Sequence, residues 1–511
     1  MPQLKIANCG QGVNLDLMPE ELPDGVWSAC QNMRARNGFA ERFKGMANLF
    51  GTPSVTPYWI TPYGTSTARY WIHAGIAKVF ADDGTTRTEI TPVSAPTGAI
   101  DDRWTGGTLN GVLVMNNGVN VPLYWGGNVA NDLASLPGWD ANERCKALRP
   151  FKNFLIALNI TKTSTNYPHM VKWSHPADPG TVPTSWDETD VTKDAGEQDI
   201  AETPDLIVDG LPLGDAFIIY KERSMYAMTT TGDARIFRFQ RLPGDVGMLT
   251  RGCAVNTPLG HVVLAAGDVV LNNGQGAVSI ADGQIREYIF SAMNGEKSNR
   301  SFVCANPQKN EVLICFPTGE SEFCDKAAVW NWKDKSWGLR NLDNVTYGDA
   351  GQVNADTTLI QWDASTLTWE SSVNSWNENE YSPNEARLLF SRTTAISAFD
   401  IGSTDFGTIM NASLERVGWS AGDPYTNKLI RGIHPRIDAP AGTVLTVSVG
   451  GSMVATEAPT YGDPVAFTVG TDQKIDVLVS GRFFGIKVES SDYAPWRLRS
   501  FDVDVVPMGA F

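Results

Sequence analysis

Reactive chemistry needs histidines, thiols or carboxylates at workable spacing, and this chain of 511 residues offers little of it. Its five histidines are His73, His169, His175, His261 and His434. None forms a His-Glu-x-x-His pair, which would set two imidazoles on one helix face toward a metal. His169 and His175 stand six apart in a proline-rich stretch, a poor spacing for two ligands of one ion. No GxxxxGK[ST] phosphate loop occurs. Gly10-Gln11-Gly12 lacks the third glycine and the strand–helix setting of a dinucleotide site. No Gly-x-Ser-x-Gly nucleophile elbow is present. The carboxylate pairs Asp82-Asp83 and Asp101-Asp102 raise glycoside hydrolysis, which needs two carboxyls about 5–10 Å apart on either side of a bond. Neighbours on a strand point to opposite faces, so neither pair suits that work alone. Asp82-Asp83-Gly84 also makes a good hairpin turn. An acid pair assembled from distant segments stays open. The 16 tryptophans suit stacking on sugars or bases, or filling cores between sheets. No catalytic, cofactor-binding or metal-binding residue is assigned, and the chain is expected not to be an enzyme.

The seven cysteines, Cys9, Cys30, Cys145, Cys253, Cys304, Cys315 and Cys324, are odd in number and widely spaced. They form neither a Cys-x-x-Cys metal motif nor a secreted disulfide framework. The N-terminus lacks a basic stretch followed by an apolar one, and no apolar run approaches the ~18 residues of a membrane span. Synthesis in a reducing cytoplasm, without a membrane span, is the expectation. The net charge of −16 argues against a general grip on nucleic acid, which calls for basic surface. The basic residues cluster only at Arg34/Arg36 with Arg42/Lys44 and at Arg497/Arg499. On strands these line either a face that meets an acidic neighbouring subunit or a solvated face.

The elements that must carry these groups are strands. Gly 48, Pro 29 and abundant Asn punctuate many short apolar runs, an all-β composition. One short helix is predicted over Ala141–Leu148. Val262–Ala265 and Asp268–Leu271 flank Ala266-Gly267, and the second stops at Asn272-Asn273-Gly274. Val312, Ile314 and Phe316 alternate with Leu313 and Cys315, so that strand is expected to be buried on both faces. Val329–Trp337 reads as strand, polar turn and aromatic return. Leu359–Trp369 repeats the form and Pro122–Gly127 echoes it. Such repeated hairpins fit four-stranded propeller blades, with a pair of sandwiches as the competitor. Beyond residue 400 the alternation is cleaner: Leu445, Val447 and Val449 against Thr446 and Ser448, and Phe501, Val503 and Val505 against Asp502 and Asp504. That is the one-face-buried pattern of antiparallel sheet. The expected architecture is therefore an all-β chain, a β-propeller with an additional β-sandwich platform domain. Residues 1–50 form an N-terminal arm and hairpin that packs on the platform or closes the propeller, 51–400 the propeller, and 401–511 the sandwich. Residues 371–385 are a polar linker or long loop.

The N-terminal run GVNLDLMPEELPDGVWSACQNMRARNGFAERFKGM resembles the opening of the tail nozzle proteins of short-tailed bacteriophages, also called tail tubular or packaged-DNA stabilisation proteins. There a segment like Pro19–Gly25 leads to Trp27 and then to a strand pair like Asn32–Arg36 and Ala40–Phe43. The Asn37-Gly38 turn between them is what a two-residue hairpin needs. PLYWGG, LPGW, FKNFLIALN, WSHPADPGTVPTSWD (Trp173–Asp187), DGLPLGDAFIIYKERSMYAM, VWNWKDKSWGLRNL and GRFFGIKVESSDYAPWRLRSFDVDVVP follow in the same order. Residues 370–440 carry little of it. The resemblance implies a propeller with a β-rich platform and a homo-oligomeric ring of six copies in the virion tail, assembled in the host cytoplasm. It implies a portal adaptor ring above, tail fibres or a plug or needle as partners, no cofactor, and a central channel that retains packaged double-stranded DNA and passes it during ejection. An acidic lumen would let phosphates pass without sticking. The alternatives are a propeller-fold glycan hydrolase and a receptor-binding tail protein.

Overall fold

A computed structural model describes residues 3–65, 69–232, 235–353 and 386–510. Strand dominates, and the only α-helix among the described residues is Arg286–Ala292. Five antiparallel meanders of four strands follow one another: Trp59–Glu89, Thr105–Ser135, Glu143–Asp199, Ile207–Arg241 and Ala254–Ser279. We call them blades 1 to 5. Blade 6 consists of Phe302–Asn306, Glu311–Phe316, Cys324–Asn331 and the first part of the long strand Ser336–Gln352. That strand does not stop there. At Asn344 the backbone takes φ 50°, a left-handed conformation that Asn tolerates. The part beyond it becomes the first strand of blade 7, pairing with Ala386–Arg392, which pairs in turn with Ile396–Phe399.

Blade 7 gets its fourth strand from the other end of the chain. Met46–Leu49 pairs antiparallel with Ile396–Phe399. The described residues thus form a seven-bladed β-propeller closed by one N-terminal strand. Side chains stitch several of the seams. Trp104 Nε1 donates to Gly75 O between blades 1 and 2, and Asn116 Nδ2 to Cys145 O between 2 and 3. Asn159 Nδ2 donates to Ile207 O between 3 and 4. Trp71 Nε1 reaches Gln352 O between 7 and 1. Separate apolar cores fill these seams: Trp59, Ile72 and Leu113 between blades 1 and 2, Val114, Leu148 and Trp186 between 2 and 3, and Leu49, Trp71 and Ile396 between 7 and 1.

The platform is a sandwich. One sheet runs Met33–Arg36, Phe39–Arg42, Arg497–Ala510, Thr426–Asp438, Ile475–Gly481, with Gln3–Ile6 also on Arg497–Ala510. The other runs Ala29–Gln31, Ala412–Trp419, Phe483–Ser490, Val444–Ser452, carrying Thr460–Tyr461 and Val465–Thr468. Leu445, Val447 and Val449 face Ile430, Val503 and Val505 in a core that continues without a break into blades 4 to 6. The two parts also share a sheet, because Met33 pairs with Leu339 at the outer edge of blade 6. The first fifty residues therefore split: their first strands join the platform, and Met46–Leu49 joins blade 7.

Several local expectations match. Met33–Arg36 and Phe39–Arg42 form a hairpin around Asn37 (φ 52°) and Gly38 (φ 79°), the positive pair that a type I′ turn requires. Glu311–Phe316 is buried along its whole length. Cys324–Asn331 and the start of Ser336–Gln352 make the expected hairpin, with Trp330 and Trp337 rings 6.4 Å apart. The helix expected over Ala141–Leu148 is not formed. Glu143–Phe151 is a strand pairing with Phe154–Lys162. Glu143, Cys145 and Ala147 are buried while Arg144 and Lys146 are half-buried, so a two-residue period and the blade's ladder override a weak helical pattern. Leu359–Trp369 and 371–385 lie outside the described residues.

Closure makes Leu49, 1% exposed, a test point. Leu49→Ala removes packing between blades 7 and 1 and should cost about 2–5 kcal/mol. Because the loss falls on one seam, hydrogen exchange across 386–399 should accelerate far more than exchange in blades 3 and 4.

Candidate functional site

The first strands of successive blades lie side by side around the propeller axis, the usual place for a ligand or reaction in an open propeller. Here that position is lined by charged side chains. Arg149 of blade 3 donates through Nε and Nη2 to both oxygens of Asp209 of blade 4, at 2.9 and 2.6 Å. Its Nη1 reaches Gly106 O of blade 2 at 3.1 Å. Asp209 also accepts the amides of Gly210 and of Gly252, the latter leading into blade 5. From blade 7, Asp349 accepts Thr61 Oγ1 of blade 1 at 3.0 Å and its neighbour's amide from Ala350 at 2.8 Å. Arg103 lies over the Tyr347 ring at 5.7 Å and donates to the carbonyls of Asn299 and Ser301. Arg251 donates to the carbonyls of Arg103 and Lys146.

The electrostatics set two acids apart. Burial pushes the Asp349 carboxyl up to about 6, against the opposing pull of Ala350, Thr61 and Arg149. Burial would raise Asp209 too, but the Arg149 guanidinium holds it below the usual aspartate value. Burial also pushes the Tyr347 phenol up to about 12. Two carboxyls with diverging proton affinity are the raw material of acid–base catalysis. Both oxygens of each, however, are engaged by groups of the chain itself. As arranged, the cluster binds six blades and their connections to one another and presents no free acid to a substrate.

Other candidates from the sequence are tied into the fold in the same way. Asp82 Oδ1 accepts the Gly84 amide, and Asp83 Oδ1 accepts those of Thr85 and Thr86. This is the turn reading of that pair, with Asp82 also paired to Arg87 at 3.0 Å. Asp101 pairs with Arg300 at 3.0 Å, and Asp102 accepts the Ala99 amide. His73 is buried against Phe80, ring centroids 5.3 Å apart, and burial pushes its pKa down to about 3. Tyr220 O–H donates to His261 Nδ1, whose Nε2–H donates to Pro212 O. His175 Nδ1 accepts the Asp194 amide, and His434 pairs with Asp504. No group of three His, Cys, Asp or Glu residues among the described residues could hold a metal ion. All seven cysteines are free thiols. No helix among the described residues is long and apolar enough to cross a membrane. Trp27, Trp59, Trp71, Trp104, Trp125, Trp139, Trp186, Trp330, Trp337, Trp419 and Trp496 are buried in cores. A shallow pocket at the rim of blades 1, 2 and 6 touches Arg103, Arg300 and Phe323; Arg103 Nη1 donates to Asn299 O and Ser301 O, and Arg300 engages Glu322 O and Asp101.

The basic cluster departs most from expectation. Arg34 and Arg42 are buried and meet partners in their own chain, not a neighbour or solvent. Arg34 binds Glu41, Asp400 and Glu311, and Arg42 donates to Ala494 O and Met410 O at 2.8 Å. Strand Met33–Arg36 lies between the outer strand of blade 6 and Phe39–Arg42, which pairs in turn with Arg497–Ala510, an arrangement that local spacing cannot reveal. Arg36 pairs with Glu41 and Arg497 with Asp438, while Arg499 is exposed. The axial cluster itself has no local signature, since its members come from separate blades.

Asp209→Asn should leave the Arg149 guanidinium buried without its counter-charge and cost about 3–5 kcal/mol. The pair replacement Arg149→Met with Asp209→Leu should recover part of that loss. Thermal unfolding of the three proteins checks the order, wild type above the pair replacement above the single variant.

No protein-family model matches the chain, and no curated protein matches it. Among solved structures, it is similar to the crystal structure of the WD40 beta propeller domain of Doa1, at 10% identity over 70% of this chain and 97% of that one, with TM-score 0.37. It is also similar to the extracellular domain of the putative one component system BT4673 from B. thetaiotaomicron, at 9% identity over 70% of this chain and 40% of that one, with TM-score 0.40. The chain thus spans well under two thirds of the latter's length. Likeness at this level has no bearing on function. The propeller is defined by the strand order described above.

Proposed function

We propose that this chain is a structural subunit of a bacteriophage tail nozzle, forming with identical copies a ring below the portal and its adaptor. The ring retains packaged DNA and lets it pass during ejection. The observation that carries the reading is the axis of the propeller, where Arg149 pairs with Asp209 and Asp349 accepts Thr61, so that the charged groups there are committed to the chain's own blades. A propeller whose axial charges serve its own blades acts as a wall, and in this reading the conduit runs between copies. Head-to-tail contacts that close by rotation generate such rings. The ordered likeness of the sequence to nozzle proteins supplies the partners: an adaptor ring above and fibres, a plug or a needle below. The net charge of −16 suits a passage along which phosphates slide without binding.

The test is the assembly state of the purified chain, alone and with its adaptor ring, by light scattering and single-particle imaging. A ring of six 55.6-kDa chains with a central opening is expected, together with DNA affinity no stronger than that of an acidic control protein. A chain that stays monomeric in both settings, or that degrades host polysaccharide, overturns the proposal.

A further inference from the structure

The seam between propeller and platform contains a second buried ionic cluster, and its geometry is unbalanced. Arg34, on the platform hairpin, donates to Glu41 on the paired strand and to Asp400 just past blade 7, both at 2.8 Å. Its third carboxylate, Glu311 on the second strand of blade 6, is left at 3.4 Å. Glu311 is fully buried, and its Oε1 has no hydrogen-bond partner among the described residues. Asp400 also accepts the Lys44 amide, so it is well satisfied as an anion. The remaining charged groups facing the cluster are Arg36, which pairs with Glu41 at 3.3 Å, and Lys309, in the turn before Glu311's strand, which lies in the field of Asp400 and Arg34. Across the blade, Glu311 stands opposite Asn331, a neutral residue.

An ionised carboxylate with one buried oxygen bare and the other on a shared, long contact is costly to keep out of water. A neutral carboxylic acid in that place costs far less. We propose that Glu311 is held as a neutral acid in the folded protein and serves as a proton-dependent latch: its ionisation loosens the seam that joins blade 6 to the platform hairpin. The proposal does not depend on the nozzle reading.

Electrostatics point the same way. Burial, opposed by Arg34 and reinforced by Asp400 and Glu41, pushes Glu311 up to about 7. Asp400 is raised by burial, yet Arg34 outweighs that and brings it to about 2. A carboxyl whose folded pKa lies above its unfolded one adds stability that is complete below the unfolded value and is lost as pH rises through the folded one. The window for Glu311 is therefore roughly pH 4.5 to 7.

The experiment compares full-length wild type with Glu311→Gln, a neutral stand-in for the protonated acid, by thermal unfolding from pH 5 to pH 9. The difference isolates Glu311 from every other titrating group. The expected result is a wild-type midpoint that falls relative to the variant as pH rises from 5 to about 7 and then levels off, with the variant at least as stable above pH 8. Proteolysis at the connection of residues 43–45 should accelerate with pH in the wild type and stay flat in the variant. Asp400→Asn, which removes a negative charge beside Glu311 and frees Arg34 for it, should move the fall to lower pH. Should Glu311→Gln fail to fold, infrared difference spectra of the wild type provide the readout, with the protonated-carboxyl band from the seam vanishing as pH rises through 7. Parallel pH profiles for wild type and Glu311→Gln, or no titrating carboxyl band near neutrality, overturn the proposal.

Discussion

Everything in this molecule hangs on one strand pairing, Met46–Leu49 against Ile396–Phe399. It joins segments from opposite ends of the propeller, so chain entropy opposes it. That cost grows only slowly with loop length, and burial of Leu49, Trp71, Leu389 and Ile396 in one core opposes it in turn. Without this strand, blade 7 would end in an open edge of unpaired backbone groups. The pairing also decides where the platform goes. Only residues 43–45 separate Met46 from the hairpin Met33–Arg42, and the four steps from Arg42 to Met46 reach at most ~14 Å. Once Met46 is pinned, the hairpin must lie beside the propeller, and it takes the outer edge of blade 6 at Leu339. Gly45 shows how tight the passage is, since a Cβ there would come within 1.9 Å of Thr404 O.

Apolar packing joins neighbouring blades, but the axis and the seam are held by ions. Such pairs contribute little net stability compared with well-packed hydrocarbon of the same shape. What they add is directional. Arg149 accepts one arrangement of Asp209 and Gly106, and Arg34 one arrangement of Glu41, Asp400 and Glu311. Each fixes the mutual position of elements far apart in the chain. In the proposed nozzle, a subunit meeting identical neighbours would benefit from such a fixed shape, because small errors in one copy accumulate around a ring.

The continuity of core and sheet from blade 6 into the sandwich bears on how such a subunit could move. The apolar core runs from Val262 and Trp330 of the propeller to Val447 and Ile486 of the platform without a break. Bending there would open packed hydrocarbon and the Arg34 cluster together. Movement within an assembly is therefore expected at contacts between copies before it occurs inside one copy, unless protonation of the seam changes.

Local features of the sequence determined a good deal by themselves. Alternation at Leu445–Val449 and Phe501–Val505 marks the buried face of each platform strand. Asn37-Gly38 and Asp82-Asp83-Gly84 write their turns in backbone chemistry. The doubly apolar run Val312–Phe316 can only be a strand covered on both sides. What the sequence could not decide is which distant strand meets which. The blade number, the borrowed strand Met46–Leu49 and the strand character of Glu143–Phe151 all depend on partners remote in the chain. So do the buried ions: Arg149 and Asp209 lie 60 residues apart, and Thr61 and Asp349 lie 288 apart. A charged residue on a strand looks the same in sequence whether its face meets water or another sheet. Only the closed ring, by removing water from both sides of those strands, turned Arg34, Arg149 and Glu311 into interior groups.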